Sequence, residues 1–339
     1  MSKGLSITGI GAVSPAGWGV SPMMAALETG TALPFSEIER PLADGMVRTP
    51  VLKVPADTGS VPKFPRLRRA SPISKFAAAA AMEALGEERY QKSLAGEIRV
   101  GVIFTLTNGC VGYSNRFFGE VLKDPAVASP ILFPETVFNA PSSHLSAMIG
   151  SRAPNDSLVG DGAGFFTGMD LAAEWIERGD VDGCLVVSSE ENDWLSAEAL
   201  LHYSRDYVPS EGAAAIYIEP SDGGVKLLRL PDPIPFSAMP RTEAALQVKE
   251  DLQATDDATT LLVDGRVGIS KIDAPETKAW QAWTGPRVSP RRVLGESMGT
   301  SSALQVVVAA ESVRSGKYQR AVVTAVGGNQ QAAGALLGA

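Results

Sequence analysis

The feature that most constrains this chain is a stretch it carries twice. Residues 162–188 can be laid over 299–325 without a gap, so that Gly162 meets Gly299 and Gly179 meets Gly316, each pair 137 positions apart. In both copies an apolar helical pattern stops at a glycine, the residue that most easily takes the left-handed turn at a helix C-terminus. A short polar link follows, then a strand rich in β-branched residues. Two copies of helix–glycine–strand imply a duplicated α/β unit.

The first copy opens on a sharp turn. Ser157-Leu158-Val159 reads as a strand and breaks into Gly160, Asp161, Gly162, Ala163 and Gly164 before a helix predicted over 163–178. Phe166, Met169, Ala173 and Ile176 fall on one face of that helix and are expected in the core. Strand-to-helix elbows of this form commonly hold a nucleophile above the helix N-terminus. Here the tip is glycine. Asp161 beside it reads either as a cap or turn residue, which the helix dipole favours, or as a chemical group.

Around this unit, apolar runs predict strands at 5–9, 99–105, 183–188, 213–219, 225–230, 260–263, 320–324 and 333–337. Continuous apolar runs suit strands buried on both faces. Helical patterns cover 22–29, 72–84, 242–252 and 301–315, and the alternation gives an α/β class. Residues 31–69 are proline-rich and read as loop. The apolar share is 45% and the formal net charge −8, which argues against a nucleic-acid or membrane-surface partner. Two cysteines, Cys110 and Cys184, and two histidines offer no metal spacing. No signal peptide or apolar span of membrane length is present, and a cytoplasmic protein is expected.

Four motifs remain. "ITGIGAVSPAGWG" (7–19) has Ser14 where a dinucleotide fingerprint needs its third glycine, and Pro15 blocks a helix start. In "VDGRVGISKID" (263–273), Arg266 and Lys271 suit an anion or neighbouring carboxylates. "RRVLGESMGTSSALQ" (291–305) places Glu296 just before the second glycine-initiated helix. "KFPRLRR" (63–69) gathers Lys63, Arg66, Arg68 and Arg69 in an otherwise acidic chain, as a solvated turn or a dock for an acidic partner.

Taken in order, the motifs resemble the β-ketoacyl-ACP synthases, condensing enzymes of the thiolase fold. "ITGIGAVSPAGWG" is similar to the family's first strand and turn, and "ASPISKFAAAAAMEAL" (70–85) to its alanine-rich helix. "PILFPETVFNAPSSHLSAMIGSRAPN" (130–155) follows its "FP…NA…G…GP" segment. "RDYVPSEGAAAIYIE" (205–219) is close to "RDGFVxGEGAGxxVLE", and "AVGGNQQ" (325–331) stands where "GFGGTN" belongs. Only 31–69 and 221–258 match poorly.

The resemblance implies a thiolase-like five-layered αβαβα fold of two duplicated halves, 1–220 and 221–339. Family members carry a nucleophilic Cys and two His. Those positions fall on Gly162, Arg266 and Glu296, and the family's lysine falls near Arg291. Val326 replaces the phenylalanine of "GFGG" at the pocket, with Gly327 and Gly328 after it. A condensation needs a thiolate to carry the acyl group as a thioester, so no catalytic residue is expected. Arg266 and Glu296 are expected to pair across the pocket and fill it. The resemblance also implies a dimer, either a homodimer or a heterodimer with an active ketosynthase, and docking of acyl carrier protein at Lys63, Arg66, Arg68 and Arg69, with neither cofactor nor metal. The reading is a non-catalytic, chain-length-factor-like subunit of type II fatty-acid or polyketide biosynthesis. The alternative is an acyl-transfer, decarboxylase or hydrolase enzyme with a rebuilt site using Asp161, Arg266 or Glu296.

Overall fold

The computed structural model describes residues 4–339 except Thr31 and Thr58, which lie within the stretch expected to be loop. The elements run β1 (Leu5–Ser14), β2 (Gly17–Trp18), α1 (Val20–Thr29), β3 (Ser36–Leu42), β4 (Gly45–Val51), α2 (Pro72–Ala95), β5 (Val100–Leu106), α3 (Val111–Lys123), α4 (Ala140–Met148), β6 (Asn155–Val159), α5 (Gly164–Glu177), β7 (Gly183–Glu190), α6 (Trp194–Leu201) and β8 (Gly212–Pro220). Then come β9 (Val225–Arg229), β10 (Ile234–Pro235), α7 (Arg241–Leu252), β11 (Thr260–Val263), α8 (Ser270–Ala279), β12 (Arg287–Val288), α9 (Arg291–Leu294), α10 (Gly299–Arg314), β13 (Arg320–Val326) and β14 (Gln331–Gly338).

The strands form two five-stranded blocks of one topology. The first has the order β1-β8-β7-β5-β6 and the second β9-β14-β13-β11-β12. In each, the first two pairings are antiparallel and the last two parallel. The blocks join where β1 runs antiparallel to β9, with Ser6 opposite Lys226 and Ile7 opposite Val225. Helices α5 and α10 lie side by side between the blocks, with α2 and α4 outside the first and α7 and α8 outside the second. This is the five-layered, duplicated αβαβα arrangement. Helix α10 is buried on nearly every face, as a central layer requires. The repeat persists at its ends: Gly179 and Gly316 follow α5 and α10 with φ of 73° and 74°.

Strand β1 continues to Ser14, past the glycine where the sequence reading ended it. Its glycines admit the alanine face of α2. A Cβ on Gly9 would lie 1.8 Å from the Ala84 carbonyl oxygen, and one on Gly11 2.0 Å from that of Ala80. The "ITGIG" run therefore serves helix-on-sheet packing. Helix α2 runs beyond 84 to Ala95, kinking at Gly86, where φ is 71°. Within 31–69 the structure differs from the expected loop: β3 and β4 pair as an antiparallel hairpin from Ser36–Val51 to Leu42–Gly45. Its strands are mostly exposed and carry prolines, which hid them from periodicity. No helix among the described residues is long and apolar enough to cross a membrane.

Candidate functional site

Strand β6 delivers the chain to the elbow, and α5 carries it away beneath the sheet. The Gly160 N–H donates to the Leu106 carbonyl at 2.9 Å, and the Thr107 hydroxyl donates to the Gly160 carbonyl at 2.8 Å, so the turn is pinned to the end of β5. A Cβ built on Gly162 would stand 3.6 Å from Arg291 Nη2 and 3.7 Å from the Met298 carbonyl oxygen, both ordinary contacts. What faces the elbow tip is a guanidinium.

Arg291 is placed there by α9 and held at three nitrogens. Nη1 donates to Glu296 Oε2 at 3.2 Å, Nε to Gln305 Oε1 at 3.2 Å, and Nη2 to the Gly162 carbonyl at 3.4 Å. The Ser301 hydroxyl donates to the other Glu296 oxygen at 2.8 Å. Both members of the ion pair are buried, so its geometry and added hydrogen bonds decide whether it stabilises. Met298, at the start of α10, has φ 51° and ψ −120°, a sparsely populated backbone region for a side-chain-bearing residue. Its sulfur accepts from Asn108 Nδ2 at 2.9 Å.

The expected Arg266–Glu296 pair is not formed. Arg266 Nε donates to Asp264 Oδ2 at 2.7 Å, and its Nη2 lies 3.4 Å from the Ser289 hydroxyl. Asp264 is fully buried two residues away and draws Arg287 as well, at 3.5 Å. A desolvated carboxylate that close outcompetes one across the pocket. Nor is the pocket filled: a cavity of about 210 Å³ remains, walled by Asp161, Gly162, Glu296, Arg291, Val326, Gly327 and Gly328, among others. Arg266 lies outside its walls.

Asp161 accepts from the N–H groups of Ala163 (3.1 Å), Asn329 (3.1 Å) and Gln330 (2.8 Å). It ties the elbow to the 327–330 loop and has the geometry of a turn residue. Gly327 is required beside it, since a Cβ there would meet Asp161 Oδ2 at 2.1 Å. Glu190, at the end of β7, accepts from the Thr107 and Asn108 N–H groups, yet burial pushes its carboxyl up to about 8. Burial, with Asp264 nearby, also pushes Glu276 upward. Tyr207 is raised by burial first and by Glu296 second.

No protein-family model matches the chain. It is 24% identical, over 91% of its length and 86% of the relative's, to the "actinorhodin polyketide putative beta-ketoacyl synthase 2" of Streptomyces coelicolor. Among solved structures, the ishigamide ketosynthase/chain length factor superposes with a TM-score of 0.81 at 18% identity, covering 98% of this chain and 99% of that one. The ketosynthase ApeO, in complex with its chain length factor ApeC from Xenorhabdus doucetiae, gives 0.83 at 13% identity, covering 99% and 98%. The complex AntDE:AntF, a type II polyketide acyl-carrier protein with its ketosynthase, gives 0.77 at 17%, covering all of both chains. The chain shares the fold of these ketosynthase structures.

In this ketosynthase-like frame, Arg66 and Arg68 lie on a single turn (Pro65–Arg68) before α2 with Lys63 and Arg69 flanking it; all four are exposed, and none forms an ion pair among the described residues. Lys271 is exposed on α8. Cys110 is buried at the start of α3, with Ser71 Oγ 3.3 Å from its sulfur, and burial pushes its thiol up to about 12. Cys184 is fully buried in β7. No cluster of metal-ligating side chains occurs among the described residues. The sequence reading missed Tyr203, Tyr207, Arg241, Asp273 and Glu276 in the cavity wall. Asp273 and Glu276 stand three apart on α8, a spacing that signals a shared helix face. Pro275 between them reads as a helix breaker and concealed that signal.

Proposed function

We propose that this chain is a non-catalytic, chain-length-factor-like subunit that pairs with an active ketosynthase in type II polyketide or fatty-acid biosynthesis. The observation that carries the reading is the elbow tip: glycine, with the Arg291 guanidinium lying against it and both of that group's neighbours already bonded. Carbon–carbon bond formation through an acyl thioester needs a thiolate at that point. The two cysteines are buried elsewhere.

An unpartnered face supports assembly. Phe118, Leu122, Val127, Ile131 and Phe133, on α3 and the turns packed on it, are each more than half exposed, and β6 is an edge strand that pairs only with β5 among the described residues. Large apolar side chains left exposed in one segment suit an interaction site. Two similar structures are described as complexes, one with a chain length factor and one with an acyl-carrier protein. The cations Lys63, Arg66, Arg68 and Arg69, without an ion pair among the described residues, suit an acidic carrier protein.

The rebuilt-enzyme alternative has less support, because the Asp161 carboxylate is taken by three amides and Arg266 by Asp264. The deciding experiment incubates the purified chain with acyl- and malonyl-loaded carrier protein, alone and with a co-expressed ketosynthase that retains Cys and both His. Intact mass should show no adduct on this chain, and the two chains should co-elute. A covalent acyl group here, or condensation by this chain alone, overturns the proposal.

A further inference from the structure

Two hollows reach the Arg291–Glu296 pair. One is the cavity at the elbow. The other, of about 90 Å³, is lined by Leu33, Leu52, Val208, Val267, Ile269 and Val293. Arg291, Glu296 and Tyr207 belong to the walls of both, whereas Asp161 and Gly162 wall only the first. The ion pair and Tyr207 therefore partition a polar chamber from an apolar one.

We infer that the apolar chamber is a binding site for a small neutral hydrophobe carrying one hydrogen-bond acceptor. Three observations converge on that class. The walls are aliphatic, and Leu33 and Val293 pack on the main core, so the chamber is a fixed part of the fold. Phe35 stands 59% exposed at its mouth, an apolar ring left uncovered beside an apolar hollow. The charges come in balanced pairs, with Asp206 and Arg292 exposed at the rim and Glu296 and Arg291 at the floor. With the signs balanced at both levels, a charged ligand would lose hydration and gain no net attraction. The Tyr207 hydroxyl has no hydrogen-bond partner among the described residues, and burial keeps it protonated, so it is free to donate. An apolar cavity of ~150 Å³ holds benzene in a well-studied case. A chamber of about 90 Å³ takes a chain on the order of four or five heavy atoms.

The test is a titration of the full chain with 1-butanol, butanoate and butylammonium, read from the methyl carbon NMR shifts of Leu33, Leu52, Val208, Val267 and Val293. Butanol should give saturable shifts at these methyls, with both charged analogues at least tenfold weaker. Val267→Phe and Leu33→Phe, which plug the chamber from different walls, should each abolish the shifts. Gly328→Leu, which fills only the other hollow, should leave them intact, and Tyr207→Phe should weaken butanol several-fold. Shifts centred on Val326 and removed by Gly328→Leu would overturn the assignment. So would equal binding of the three probes, or no saturation up to the solubility of butanol. Unchanged butanol affinity in Tyr207→Phe would overturn the acceptor requirement.

Discussion

Arg291 and Glu296 form a buried ion pair with an Nη1–Oε2 distance of 3.2 Å, and the same guanidinium touches the carbonyl of Gly162 at the elbow tip. The pair closes the space between α9 and α10 and fixes which face of each meets the cavity. Its removal tests how much the site depends on it. Glu296→Ala leaves a buried cation without its carboxylate and should cost about 3–5 kcal/mol by chemical denaturation. The double replacement of Arg291 by Met and Glu296 by Leu removes both charges and should recover most of that loss. A single variant as stable as the parent would show that water already solvates the guanidinium.

Gly162→Cys should fold, because its Cβ meets only ordinary contacts. A stability change within about 1 kcal/mol is expected. The new thiol, beside Arg291 and near the start of α5, should ionise below the usual cysteine range. Alkylation by iodoacetamide, followed against pH, measures that directly. No condensation product should form with carrier-bound substrates, since no histidine among the described residues walls the cavity.

Asp161→Ala removes the acceptor shared by Ala163, Asn329 and Gln330. Charge-assisted bonds of this kind are worth roughly 1.5–3 kcal/mol each, part of which water restores at this half-exposed site. The 327–330 loop should loosen. Amide hydrogen exchange at Asn329 and Gln330 should rise on the order of tenfold or more, while the strands of the second block stay protected.

Glu190 gives the fold a pH dependence. Its carboxyl is pushed from the usual 4.5 to about 8 by burial, so the folded state holds a proton that the unfolded chain gives up. Stability from this group is present below pH 4.5 and lost as pH rises towards 8. Glu190→Gln keeps an acceptor for the Thr107 and Asn108 amides without the charge. Its unfolding free energy should fall less between pH 5 and 8 than the parent's, by an amount on the order of a few kcal/mol. Parallel profiles would place Glu190 in a wetter site than the structure shows.

The repeat, the elbow and the helix-ending glycines were legible in the amino-acid sequence because each is local. A period of 3.6, a strand run and a left-handed glycine need only near neighbours, and Gly179 and Gly316 kept their spacing and their conformation. The hairpin at 36–51 and helix α8 were not legible, since exposed proline-bearing strands and an internal Pro275 break the patterns that mark such elements. By itself the sequence determined that glycine stands at the elbow and that cations and carboxylates are at hand. Only the tertiary structure decided which cation meets Glu296. The attraction between charges falls with distance and strengthens as water is excluded, and neither quantity is written in sequence order. Asp264, buried two residues from Arg266, claimed that arginine, and the turn of α9 turned Arg291 inward to Gly162 instead.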